Sequence, residues 1–286
     1  MESLLSLAYT LIDRLLPLPF AEPAFMKRAL LAMFFLAPAA AAVGVPLIQF
    51  RMAFFSDAIG HSAFTGVALG VLLGIHPLVT MVAFGLFVAY AITLVKGRTG
   101  LSPDTVIGVF FSTVIALGIA IISAQKGLTR NLQAYLYGDL LAISGPEVLW
   151  MAALFLAVGI YLFLAFNRIL LLGVHEGFAR SRGIRGRALE ISFSLVLALV
   201  VTTAIRAVGI LLVTALLVVP AAAARNVARS AAAAFWTAIA IALASGVAGI
   251  AASYYLDTAT GATIVLVTAA FFALTAILRL ARGQTA

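Results

Sequence analysis

Asp57 and His61 are the residues best placed to do chemistry. They stand four apart in Phe54-Phe55-Ser56-Asp57-Ala58-Ile59-Gly60-His61-Ser62, so on a helix a carboxylate and an imidazole leave from one face. Thr65 continues their row, and Ala58, Ser62, Gly66, Gly70 and Gly74 make a stripe of small residues beside it. Such a stripe packs against protein, which turns its polar neighbours toward a bundle interior or a pore. Carboxylate oxygen with imidazole nitrogen suits zinc or manganese. Spacing alone leaves the plainer reading open, an Asp at a helix start and a hydrogen-bonded His.

The other ionisable residues rank lower. His76, before Pro77, offers a second ligand at the far end of the same run, and Asp257 follows Ser253-Tyr254-Tyr255-Leu256 at a turn where it caps or gates. His175 lies in a basic loop and reads as solvated. The absence of cysteine removes thiolate sites and disulfides alike. Neither an H-E-x-x-H run nor a G-x-x-x-x-G-K-[ST] run occurs, so the chain has neither a zinc-protease signature nor a P-loop for ATP. No residue pattern here marks an enzyme or a permanently bound cofactor.

The elements that hold these residues belong in lipid. Of 286 residues, 64% are hydrophobic and 10% charged, against about a quarter charged in an ordinary soluble domain. Runs long enough to cross about 30 Å of hydrocarbon fall at 27–48, 56–74, 77–95, 104–124, 146–167, 188–206, 209–225, 231–253 and 262–280. The join at Arg206–Gly209 is tight. A broken or re-entrant element is an alternative there, so eight or nine crossings are expected. In 231–252 Ala244, Ala248 and Ala252 recur at four-residue steps and are expected to pack.

The formal charge of +8 does not indicate nucleic acid, because the basic residues sit at the ends of apolar runs without interleaved aromatics. Put the loop at 168–187 in the cytoplasm and twelve Lys and Arg share that side: Arg51, Lys96, Arg98, Arg168, Arg180, Arg182, Arg185, Arg187, Arg225, Arg229, Arg279 and Arg282. Six lie opposite: Arg14, Lys27, Arg28, Lys126, Arg130 and Arg206. The bias predicts a cytoplasmic C-terminus and an outer N-terminus. Residues 1–20 read as an interfacial segment, with Leu4, Leu7, Leu11 and Leu15 on one face before Pro17 and Pro19. They lack the basic start of a secretory signal. Residues 25–282 form one transmembrane domain. Its loop at 168–187 fits a short helix ending at Gly183.

Three stretches resemble the zinc/manganese-type permeases of bacterial ABC importers. They are Arg51 to Ala63 running into Gly66-Val67-Ala68-Leu69-Gly70, the glycine-to-proline stretch Gly209 to Ala222, and Ser253 to Asp257 with Gly261-Ala262-Thr263. The resemblance spans roughly residues 25–280. Glu176, Ala179 and Gly183 look like a reduced form of the pattern by which such permeases contact their ATPases. The resemblance implies an all-α polytopic permease in the bacterial inner membrane, acting as a homodimer. Its partners would be cytoplasmic ATP-binding subunits, a periplasmic or lipoprotein metal-binding protein and the surrounding lipid. It makes Asp57 and His61 the expected ligands of a transported Zn2+ or Mn2+ ion. The alternative is a secondary metal transporter or channel that needs no ATPase.

Overall fold

With no water in the hydrocarbon to satisfy the backbone, an apolar segment must make its hydrogen bonds internally, and the helix does so. The computed structural model describes residues 2–15, 17–124 and 139–282. Lys126 and Arg130 lie outside them. Helix α1 is Glu2–Leu15, α2 Ala24–Gln49, α3 Phe55–Leu73, α4 Pro77–Thr99, α5 Pro103–Ala124 and α6 Gly145–Val174. The short α7 is Glu176–Ser181. Then follow α8 (Gly186–Ile205), α9 (Val208–Val227), α10 (Ala231–Leu256) and α11 (Thr260–Ala281). Among the described residues nine helices are long and apolar enough to cross a membrane.

Their ends agree with the expected spans to within a few residues, except in α6. That helix runs on through Arg168 to Val174, so the basic connection is 175–185 rather than 168–187. In the sequence the uncharged run ends before Arg168. An arginine near a helix end keeps its head in the polar interface, however, and Ile169 to Leu172 continue the apolar run. At the other end of α6, Ser144 and Glu147 form a capping box, the Glu147 carboxylate accepting from the Ser144 N–H at 2.9 Å.

The tight join is a hairpin. α8 runs antiparallel to α4: Glu190 pairs with Lys96, Ser194 bonds Thr93 at 2.8 Å, and Thr202 lies against Gly85. Past Gly209 the chain turns back, for Ile210 lies against Gly60, Leu217 against Gly44, and Ala221 beside Ile48. Gly209 has φ 79° and ψ 164°, a region essentially closed to residues with a Cβ. Without that residue α8 would continue straight instead of handing the chain to α9.

Helix α2 is the central post. Ala29, Ala32, Ala37, Ala40, Ala41 and Val43 are wholly buried in it. Between helices, hydroxyls supply sparse polar links: Thr65 to the Val114 carbonyl at 2.7 Å, Tyr161 to Ser192 at 2.9 Å. Each contributes about 0.6 kcal/mol on average in such bundles.

The small-residue stripe of α3 packs on α4, as expected. A Cβ on Gly66 would stand 2.7 Å from Met81 Cα, and Ala58 and Ser62 are fully buried. The stripe stops at Gly70, because Gly74 is the left-handed end of the helix (φ 67°) and is exposed. On α10 the expected face is wrong. Ala244 and Ala248 are exposed, while Ala238, Ala242, Ser245, Gly246 and Gly249 are buried. Gly246 meets Met33 and Gly249 meets Ile264. Two four-residue rows of small side chains coexist on that helix, and only the glycine-bearing row lets a neighbour come close.

This close approach makes a test. Gly66→Leu forces α3 and α4 apart, an overpacking that costs about 1–3 kcal/mol and lowers the melting temperature by roughly 2–12 °C. Gly97→Leu, where no atom lies within 4 Å, is the control and is expected to melt as wild type does. Equal melting of both variants overturns the packing assignment.

Candidate functional site

The site begins at the corner between α2 and α3. α2 closes through Met52, whose N–H donates to the Leu47 carbonyl at 3.2 Å, with Arg51 at φ 55° between them. A left-handed arginine costs about 1–2 kcal/mol relative to glycine. The corner is braced from below: Met52 is fully buried, and Lys96, paired with Glu190, reaches its sulfur at 3.6 Å. α3 then starts at Phe55 and places Asp57 in its first turn, where the helix dipole favours a negative charge.

Nearly all of the first half of α3 is buried. Ser56, Ala58, Ile59, Ser62 and Thr65 have no exposed surface, and the two serines spend their hydroxyls on nearby backbone, Ser56 on Ala53 O just before the helix and Ser62 on Ile59 O within it. The exception is one stripe, Phe54, Asp57, His61 and Phe64, which is exposed or half-buried. The expected pair therefore lies on the one face of this segment that the chain leaves uncovered.

Helices on both sides frame it. From α9, Thr214 sets its hydroxyl beside the Asp57 carboxylate, within reach also of the Ile210 and Leu211 carbonyls. From α5, Phe111 meets the His61 ring edge to face at 5.0 Å. A Cβ on Gly60 would lie 3.0 Å from Ile210 Cγ2, and this gap admits α9 so near. The uncovered stripe continues onto α9, where Leu211 is 76% exposed and Thr214 and Val218 are half-buried. Neither Thr214 nor Phe111 was singled out in the sequence. Thr214 lay inside the glycine-to-proline stretch, but no spacing along the chain links it to Asp57.

In one copy the donors number two, an oxygen and a nitrogen. Among the described residues no group of three or more His, Asp or Glu side chains gathers. His76 is exposed at the α3–α4 turn, about 22 Å along the helix from His61. Asp257 ends α10 in the left-handed conformation (φ 53°) and is exposed. Ser253 shapes that turn, bonding the Thr258 carbonyl and the Thr260 hydroxyl at 2.8 Å each. The fold thus keeps Asp57 and His61 together and leaves His76 and Asp257 elsewhere.

The basic connection folds as the short helix expected. His175 is exposed, as expected, and also caps α7, its Nδ1 accepting from the Phe178 N–H at 3.2 Å. Glu176 opens the helix, Ala179 is fully buried, and Gly183 ends it at φ 73° with its N–H on the Arg180 carbonyl at 2.9 Å. Phe178 stays 48% exposed, with Arg182 stacked 5.2 Å from its ring centre.

Comparison with known proteins adds to this geometry. The model of a family described as the ABC 3 transport family matches residues 22–279. The chain is 31% identical over 246 residues to the high-affinity zinc uptake system membrane protein ZnuB of Haemophilus influenzae, covering 86% of this chain and 94% of that one. It is 33% identical over 252 residues to the manganese import system permease protein ScaB of Streptococcus gordonii, covering 87% and 89%. Among solved structures, PsaBC from Streptococcus pneumoniae in complex with Fab superposes with a TM-score of 0.76 at 29% identity, covering 93% of this chain and 94% of that chain.

Proposed function

The chain belongs to the ABC 3 transport family, and we propose that it is the permease subunit of an ATP-driven importer of divalent transition-metal ions, zinc or manganese. The observation that carries this reading is the Asp57–His61 pair on the uncovered stripe of an otherwise buried helix. Placing ionisable side chains there costs about 2.5–3.5 kcal/mol each on insertion scales, and metal coordination is what such donors offset it with. The relatives named for zinc and for manganese support the ion class.

The assembly follows from counting donors. One copy supplies two, and a tetrahedral site needs four. A second copy related by a two-fold axis brings another Asp57 and His61 to the same place. Ligands must be deprotonated to bind, so uptake weakens toward acid pH. Hydrolysis of ATP belongs to separate subunits, which dock on α7 through Glu176, Ala179 and Gly183. A periplasmic or lipoprotein metal-binding protein delivers the ion near His76 and Asp257, which act as gate or secondary ligands.

The direct test is ATPase activity of the assembled complex with its delivery protein, ion by ion. Zinc or manganese is expected to stimulate it and calcium, which prefers all-oxygen sites, is not. Equal stimulation by calcium, or metal uptake by the chain without its ATPase, overturns the proposal.

The chain is membrane-embedded. Its orientation we propose from the basic bias, with the N-terminus outside, the C-terminus cytoplasmic and α1 lying in the outer interface. Leu7 and Leu11 of α1 face outward, Ile12 inward, and Asp13 anchors the helix to Lys27 at 2.6 Å. Cysteines placed singly at Ser3 and at Gln284, which lies outside the described residues, are expected to label from opposite sides with an impermeant reagent. Labelling of both from one side refutes the orientation.

A further inference from the structure

A groove and a pocket that the transport reading leaves unused meet at the end of the bundle that carries α7. The groove, about 630 Å³, runs between α2, α6 and α10 and is walled by Pro38, Ala42, Gly159, Phe163 and Phe235. From Phe155 to Asn167 on α6 it extends twelve residues, about 18 Å, more than the half-thickness of the hydrocarbon core. Phe163 is 89% exposed and Trp236, at the rim, 67%. An exposed indole at that level suits the boundary between hydrocarbon and headgroups. The wall at Gly159 is open, with no atom within 4 Å of a Cβ placed there.

Less than one turn further along α2 from Ala42, at Val45, the lining changes character. A second pocket of about 350 Å³ lies between α2, α9 and α10 and is lined by Gln49, Arg225, Arg229 and Ser230. Both arginines are exposed, and neither has an ion-pair partner among the described residues. α10 starts in this pocket. Ser230 caps it by accepting from the Ala233 N–H at 3.1 Å, and the N–H groups of Ala231 and Ala232 precede the first intrahelical bond. Apolar groove and cationic pocket share α2 and α10 and follow one another along both.

We propose that the two cavities form one binding site for an anionic phospholipid. One acyl chain fills the groove of α2, α6 and α10, and the phosphate sits between Arg225 and Arg229 at the start of α10. The charge selects the occupant: two arginines without an ion-pair partner among the described residues fit an anionic headgroup, and the apolar trench beneath them, about 18 Å long, fits a hydrocarbon chain and not a folded partner. The inference does not depend on which ion is transported. Orientation decides only the leaflet, which the basic bias makes the cytoplasmic one, where surface charge is negative.

The test is native mass spectrometry of the purified permease–ATPase complex after incubation with phosphatidylglycerol or phosphatidylcholine. Wild type is expected to retain one phosphatidylglycerol per permease copy and to prefer it over phosphatidylcholine. The double variant Arg225→Gln/Arg229→Gln reduces that retention roughly thirtyfold, about fivefold per arginine. Gly159→Leu fills the trench and reduces retention of both lipids. Equal retention of the two lipids by wild type, or undiminished phosphatidylglycerol on the double variant, overturns the proposal. So does release of the ATPase by the double variant with its lipid still bound, since the pocket would then be a protein interface.

Discussion

Asp57→Asn and His61→Phe are each expected to abolish metal uptake by the assembled transporter while leaving two copies associated and the ATPase docked. Both changes are close in shape. Asparagine keeps the size of the carboxylate and a partner for Thr214, and phenylalanine keeps the edge-to-face contact with Phe111 at 5.0 Å. On the proposed assignment each removes one ligand atom per copy, hence two of four in the site that two copies would build. Loss of a group that merely orients a ligand lowers metal affinity about 10–100-fold, so loss of two ligands is expected to place uptake more than about a hundredfold below wild type. The readout is uptake of radioactive zinc or manganese into proteoliposomes, with co-purification of the ATPase as the control for assembly. Near-wild-type uptake by both variants ends the assignment and returns the pair to the plainer role of a helix-start Asp and a packed His.

Gly183→Val is the second large effect, and it acts through the backbone. Gly183 sits at φ 73° with no atom within 4 Å of its Cβ position, so a side chain there meets no clash, only conformational strain. That strain is about 1–2 kcal/mol for a residue with a Cβ, a fivefold to thirtyfold fall in the population with α7 correctly closed. Binding of the ATPase and metal-stimulated hydrolysis are expected to fall by that factor, while the permease inserts and dimerises normally. Gly183→Asn separates the mechanisms, because asparagine tolerates the left-handed region and is expected to restore most of the loss. Wild-type binding and hydrolysis in the valine variant would show that α7 does not dock the ATPase.

Much of this molecule was legible in its sequence because lipid narrows the choices. A stretch such as Ala24–Gln49 or Pro103–Ala124 has no means of satisfying its backbone in hydrocarbon except as a helix. Once α3 was a helix, the four-residue step from Asp57 to His61 put both on one face. The short helix before Gly183 was equally local, since a glycine after a polar turn marks a helix end whatever surrounds it. The extent of α6 was misjudged for a local reason too: one arginine outweighed the six apolar and small residues that follow it.

What the sequence by itself determined, then, was where helices run, where they stop and which side chains share a face. Which face meets protein was decided by the tertiary structure. In a soluble protein apolar residues point inward and polar ones outward, so composition reports burial. Here lipid is as apolar as a neighbouring helix, and hydropathy cannot tell the two apart. Hence the exposed alanines of α10, Ala244 and Ala248, read the same as the buried Ala238 and Ala242. Hence also Thr214 and Phe111 gave no sign of belonging with Asp57 and His61. Thr214 arrives there because Gly209 reverses the chain and Gly60 leaves room for Ile210, and Phe111 because α5 packs beside α3. Those contacts join residues about 50 to 150 positions apart through close packing, and close packing depends on shapes that meet only after the chain has folded.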